Sequence, residues 1–137
     1  MVETLSVNVK ELAGTILVVD DEPGIRHFLS RVLRVTNARV EVASDGKEAL
    51  EHIANNGNFT LAILDLSLPD MSGLELARVI RADHPSLPVI LSSGYEASAI
   101  PPDLRDDRYT EYLHKPYQIK TFWEVVQRVL SVDDSKG

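Results

Sequence analysis

Residues 61–73 read LAILDLSLPDMSG. The apolar run 61–64 is too short for a helix and ends abruptly on Asp65, so it reads as a buried strand with a carboxylate at its C-terminal end. Ser72 then stands as the N-cap of a helix whose apolar face is Leu74, Leu76, Ala77 and Ile80, stopped near Pro85. A buried strand followed directly by a helix is the repeating unit of a parallel sheet, because parallel neighbours need a crossover between them.

The same grammar extends outward in both directions. Upstream, TILVV over Thr15–Val19 runs into Asp20-Asp21, and Pro23 sits where a first-turn proline is tolerated. Ile25, Phe28, Leu29, Val32 and Leu33 then mark one helical face. A β-branched alternation over Arg39–Ala43 is followed by the Asp45-Gly46 turn and the helical spacing Ala49, Leu50, Ile53. Downstream, the run 89–91 follows Pro88, and a weaker run, 112–114, stops at Lys115-Pro116. A last helix shows Ile119, Phe122, Val125, Val126, Val129 and Leu130. Strands and helices in alternation predict an α/β fold, a five-stranded parallel sheet with helices on both faces. Between residues 95 and 108 a fourth helix is due. Pro101-Pro102 interrupts it and Asp103, Asp106 and Asp107 charge it, so the segment should be short, displaced or mobile.

Bulk properties narrow the function. The 137 residues suit one domain, and 44% hydrophobic with 26% charged residues allow an ordinary core. Lys plus Arg number 14 against 21 for Asp plus Glu, a net charge of -7 that phosphate backbones and anionic lipid repel. Neither nucleic acid nor direct membrane contact is therefore expected. The absence of cysteine excludes disulfides and thiolate chemistry. No signal peptide is recognisable at the start and no apolar run approaches the roughly 18 residues of a membrane span, so a cytoplasmic location is expected. Residues 1–14 read as a tail or linker, 15–131 as the domain and 132–137 as a C-terminal tail, with too little chain after Leu130 for an output module.

In parallel α/β sheets, ligands bind beyond the carboxyl ends of the strands. Those ends carry Asp20 and Asp21, Asp65, Ser93 and Lys115. Taken singly, an Asp at a strand end is usually a cap or turn former, a Lys is usually solvated, and a Ser beside Gly94 passes for a loop residue. Their convergence on one edge is what argues for chemistry. Hard cations such as Mg²⁺ or Mn²⁺ prefer oxygen ligands. Asp21 and Asp65 can bind directly and Asp20 through a water, with a backbone carbonyl completing the protein's ligands. Asp65 is then the natural nucleophile, forming an acyl phosphate. Lys115 and the Ser93 hydroxyl would each meet a phosphoryl oxygen. Carboxylates about 4 Å apart repel by roughly 4 kcal/mol at an effective dielectric near 20, so the metal-free pocket should store strain.

Asp20-Asp21 in ILVVDDEP, Asp65 in LAILDLSLPDMSG, Ser93-Gly94-Tyr95 after PVILS, and Lys115-Pro116 together resemble the CheY-like receiver domains of two-component response regulators. The resemblance runs from about Thr15 to Leu130. It implies a flavodoxin-like, doubly wound sheet of order 2-1-3-4-5, with Asp65 as phosphoacceptor and Asp20 and Asp21 as the acidic metal pocket. It further implies that Ser67 offers its carbonyl to the metal, that Ser93 is the switch hydroxyl, and that Tyr112 is the aromatic that changes rotamer. A cis peptide before Pro116 is implied as well. The expected partners are a histidine kinase or a histidine phosphotransfer protein and a downstream protein target. Such a domain promotes its own phosphorylation and dephosphorylation without being a conventional enzyme. The SGY and KPY wording resembles receivers of hybrid sensor kinases, and a free-standing regulator fits as well. The proline pair departs from the family on a surface often used for dimerisation.

Two other readings are weaker. A phosphorylation-independent docking module would not need the acid pocket and Lys115. A haloacid-dehalogenase-like phosphatase would want a second Asp where Ser67 stands. His27, His52, His84 and His114 show no metal-ligand spacing. Trp123, off the main stripe of the last helix, reads as core-edge packing.

Overall fold

Thr15–Val19 (β1), Arg39–Ala43 (β2), Phe59–Asp65 (β3), Val89–Ser93 (β4) and Thr110–His114 (β5) pair in parallel as a single sheet of order β2-β1-β3-β4-β5. The computed structural model describes residues 9–131. The helices are Pro23–Val32 (α1), Gly46–Asn55 (α2), Gly73–Asp83 (α3), Pro102–Arg105 (α4) and Ile119–Leu130 (α5). This is the expected doubly wound α/β architecture and strand order. The tails at 1–8 and 132–137 lie outside the described residues. No helix among those described is long and apolar enough to cross a membrane.

Two cores flank the sheet because successive strand residues face opposite sides. In β1, Leu17 and Val19 join Leu64, Leu76, Ile80 and Leu91 on the face covered by α2, α3 and α4. Ile16 and Val18 join Ile63, Ile90, Leu113, Phe122 and Val126 on the face covered by α1 and α5. Every residue of β1 and β4 is buried, whereas edge strand β2 leaves Arg39 and Val42 exposed. That difference explains why β1 reads as a continuous run and β2 as an alternation. Each fully buried Leu, Ile or Phe contributes roughly 1.5–3 kcal/mol.

Local signals set the helix starts. Asp45 caps α2 by accepting from Glu48 N at 2.8 Å, and Ser72 caps α3 by accepting from Leu74 N at 3.1 Å. Pro23 opens α1. The proline pair confines α4 to four residues, preceded by a 3-10 turn at Ala97–Ala99. A residue before proline avoids helical angles, so the turn cannot run on into a longer helix. Ile100 and Leu104 are nonetheless buried, and Arg78 of α3 holds Asp103 through two hydrogen bonds of 2.8 and 3.0 Å.

One expected core residue is misplaced. Ile119 is 49% exposed, while Phe122, Val125, Val126 and Val129 are buried. Side chains tilt toward the helix N-terminus, so a first-turn residue covers ground ahead of its helix and not the sheet behind it. Trp123 packs edge-on to Phe122 with centroids 5.1 Å apart, in keeping with core-edge packing.

Candidate functional site

Asp20 follows β1 and Asp65 ends β3, so the parallel register brings both carboxylates to one edge of adjacent strands. Both are buried, at 3% and 5% exposure, and Asp21 beside them is exposed. One oxygen from each of the three lies within 4.8 Å of the others. Lys115, immediately after β5, sends its Nζ to 2.9 Å from Asp20 Oδ2, 3.5 Å from Asp65 Oδ1 and 3.9 Å from Glu22 Oε1. The Lys115-Pro116 peptide is cis.

Main-chain donors hold these groups in place. Asp20 Oδ1 accepts from Glu22 N at 3.0 Å, and Asp65 Oδ1 accepts from Ser67 N at 3.3 Å. Ser67 sits at the neck of the β3–α3 loop, in an isolated antiparallel bridge with Ser72. Gly73 passes so close that a Cβ there would lie 2.2 Å from the Asp65 carbonyl oxygen. Only glycine allows the helix to start this near the strand it follows.

Burial, and then the negative charge of Asp20, push the Asp65 carboxyl above its ordinary range, and Lys115 counters only part of this. For Lys115, burial alone would lower the ammonium's pKa. The hydrogen bond to Asp20 and the charges of Asp20 and Asp65 outweigh it, so the net shift is upward. The pocket thus holds a partly compensated excess of negative charge. Three hard oxygen donors around one point, one of them open to solvent, suit a cation such as Mg²⁺ that keeps several of its waters.

Ser93 ends β4 on the same edge. It is 2% exposed, and its Oγ accepts from Tyr95 N at 2.9 Å. Its carbonyl receives Lys115 N at 2.7 Å, which ties the ends of β4 and β5 together. Tyr112 is half-buried; its hydroxyl donates to the Ser93 carbonyl at 3.0 Å and also to the Tyr95 carbonyl. His114 Nε2 lies 3.0 Å from the Gly94 carbonyl oxygen. Ser93 and Tyr112 therefore share one loop, the exposed stretch 94–99.

Residues 16–127 match the model of the response regulator receiver domain. The chain belongs to that family. The receiver is 34% identical over 122 residues to the probable transcriptional regulatory protein TcrX of Mycobacterium tuberculosis, covering 84% of this chain and 47% of TcrX. It is 32% identical to the sensor kinase CckA of Brucella abortus, covering 89% of this chain and 13% of CckA. Among solved structures, the response regulator TrrA of Thermotoga maritima, in complex with Mg²⁺ and BeF, shares 36% identity and superposes with a TM-score of 0.72 over 85% of this chain and 98% of TrrA. The receiver spans about half, or much less, of the curated relatives' length.

Several residues around the site lie within the quoted motifs without a role assigned from the sequence. Glu22 reads as a helix-start acid but lies near Lys115. Asp70, within the LPDMSG stretch, bonds across to the start of α2. Tyr117 stacks on Phe122 at 6.2 Å; burial first, then the charges of Asp20 and Asp65, push its hydroxyl up to about 12. Its place in the KPY stretch, directly after Lys115-Pro116, is the sequence signal that puts it beside this edge. His52 pairs with Glu41 at 2.9 Å beside edge strand β2, away from this edge.

Proposed function

We propose that Asp65 takes a phosphoryl group from the phosphohistidine of a histidine kinase or a histidine phosphotransfer protein, at a pocket that binds Mg²⁺ or Mn²⁺. The observation that carries this reading is the joint burial of Asp20 and Asp65 beneath the Lys115 ammonium. Asp65 and Asp21 would hold the cation directly, Asp20 through a water and Ser67 through its carbonyl. A bound cation supplies neutralising charge to the phosphoryl oxygens. An Asp65 carboxylate oxygen attacks phosphorus, the P–N bond to the donor imidazole breaks, and an aspartyl phosphate forms. Lys115, already 3.5 Å from Asp65, meets one phosphoryl oxygen.

Ser93 Oγ gives up its contact with Tyr95 N to donate to another phosphoryl oxygen. Tyr112 then repacks, because its hydroxyl bonds the same loop. The change shifts a two-state equilibrium at the face built by β5 and its neighbours. The donor approaches past an apolar hollow of about 460 Å³ beside Lys115, lined by Ile25, Phe28, Pro116 and Tyr117. The domain, spanning 15–131, assists only its own phosphorylation and hydrolysis and works in the cytoplasm on a downstream protein. Borohydride reduction after incubation with a phosphohistidine donor, followed by peptide mapping, should convert Asp65 alone. Conversion at another residue, or stoichiometric acceptance by Asp65→Asn, would overturn the assignment.

A further inference from the structure

The β3–α3 loop carries Ser67, and its tip is fastened to a remote part of the chain. Asp70 reaches the start of α2, where its Oδ1 accepts from Gly46 N and its Oδ2 from Lys47 N, each at 2.9 Å. Those amides are among the donors that a helix leaves without internal acceptors. The N-cap itself, Asp45, serves the Glu48 amide. Although Asp70 is exposed, the Gly46 and Lys47 amides hold its carboxyl below the ordinary range. Beside these bonds the Met71 side chain lies over Gly46, where a Cβ would come within 2.5 Å of Met71 Cγ and Sδ. At its neck the loop is closed by the Ser67–Ser72 bridge and by Gly73 N donating to Leu66 O at 2.9 Å. Main chain therefore fixes the neck, and Asp70 with Met71 fixes the tip.

We propose that Asp70 is a positioning residue for the cation site. By pinning the loop tip to α2, it sets the Ser67 carbonyl before the cation arrives. The inference rests on the reading of the pocket given above. Groups that orient metal ligands from outside the coordination sphere typically change affinity 10–100-fold when removed, and a surface tether belongs at the low end, about tenfold.

The test is Mg²⁺ affinity by calorimetry on the whole chain, together with amide exchange across residues 66–72 in metal-free buffer. Asp70→Ala should raise the Mg²⁺ Kd about tenfold and speed exchange in the loop. Asp70→Asn, which keeps one acceptor, should fall between it and wild type. Gly46→Ala displaces Met71 without changing charge and should also weaken binding, which separates fastening from simple loss of an anion. Val129→Ala, in the distant α5 core, should lower Tm and leave the Kd unchanged. An Asp70→Ala protein with wild-type Kd and loop exchange would overturn the inference alone, as would equal weakening by Val129→Ala. A wild type that binds no Mg²⁺ would overturn the pocket reading, and this inference with it.

Discussion

Asp65 is buried beside Asp20, and both circumstances favour its protonated form. The sign of the consequence follows from linkage. Above the ordinary carboxylate pKa the unfolded chain releases a proton that the folded protein retains, so this group's contribution to stability falls as pH rises through that window. In EDTA at neutral pH, Asp65→Asn should therefore be more stable than wild type in urea titrations, and the gap should close as pH falls toward the carboxylate range. A gap that widened on acidification would contradict this. Lys115 behaves oppositely. Its raised pKa means that the stability it contributes is present below its unfolded value and lost as pH rises through the folded one. At this scale, Asp20, Asp65, Ser93 and Lys115 were legible because each directly follows or ends an apolar run. Asp70 was not, since its partners stand 23 and 24 residues away and a Pro-Asp pair has a sufficient local explanation as a turn.

Elements depend on close approaches that a single methyl group can test. A Cβ on Gly73 meets main chain, 2.2 Å from the Asp65 carbonyl oxygen and 2.6 Å from Leu66 Cα, and no side-chain rotation relieves it. Gly73→Ala should cost at least the 1–3 kcal/mol typical of overpacking and should weaken Mg²⁺ binding as the loop moves. Gly24, in the first turn of α1, has nothing within 4 Å of its Cβ position. Gly24→Ala should gain up to about 1 kcal/mol from helix propensity. Denaturant melts of the two variants check both values, and equal effects would contradict the account. The helices and strands were legible from periodicity and caps, including the truncation of α4 by Pro101-Pro102. The half-exposed Ile119 was not, because a helix's spacing names a face without saying where the sheet beneath it ends.

Across the molecule, the parallel sheet gathers negative charge at one edge, where Lys115 faces the Asp20 and Asp65 carboxylates and Arg26 Nη1 donates to the Asp20 carbonyl at 2.7 Å. A cation bound there stabilises the fold by mass action, about 2.7 kcal/mol at a hundredfold excess over Kd. Mg²⁺ should raise the wild-type Tm. Asp21→Asn should raise Tm in EDTA and blunt the response to Mg²⁺, and a lower metal-free Tm would count against stored repulsion. The layered architecture and strand order followed from the strand–helix grammar together with the family resemblance. The way Tyr112 and Ser93 converge on one loop needed the three-dimensional structure, because their contact crosses from β5 to β4. On the proposed function, Asp65 at this edge accepts a phosphoryl group from its donor. The most direct test is the intact mass after incubation with acetyl phosphate and Mg²⁺, wild type beside Asp65→Asn. The wild type alone should gain about 80 Da, one phosphoryl group on an activated carboxylate. A gain in both proteins, or in neither when a phosphohistidine donor is also supplied, would contradict it.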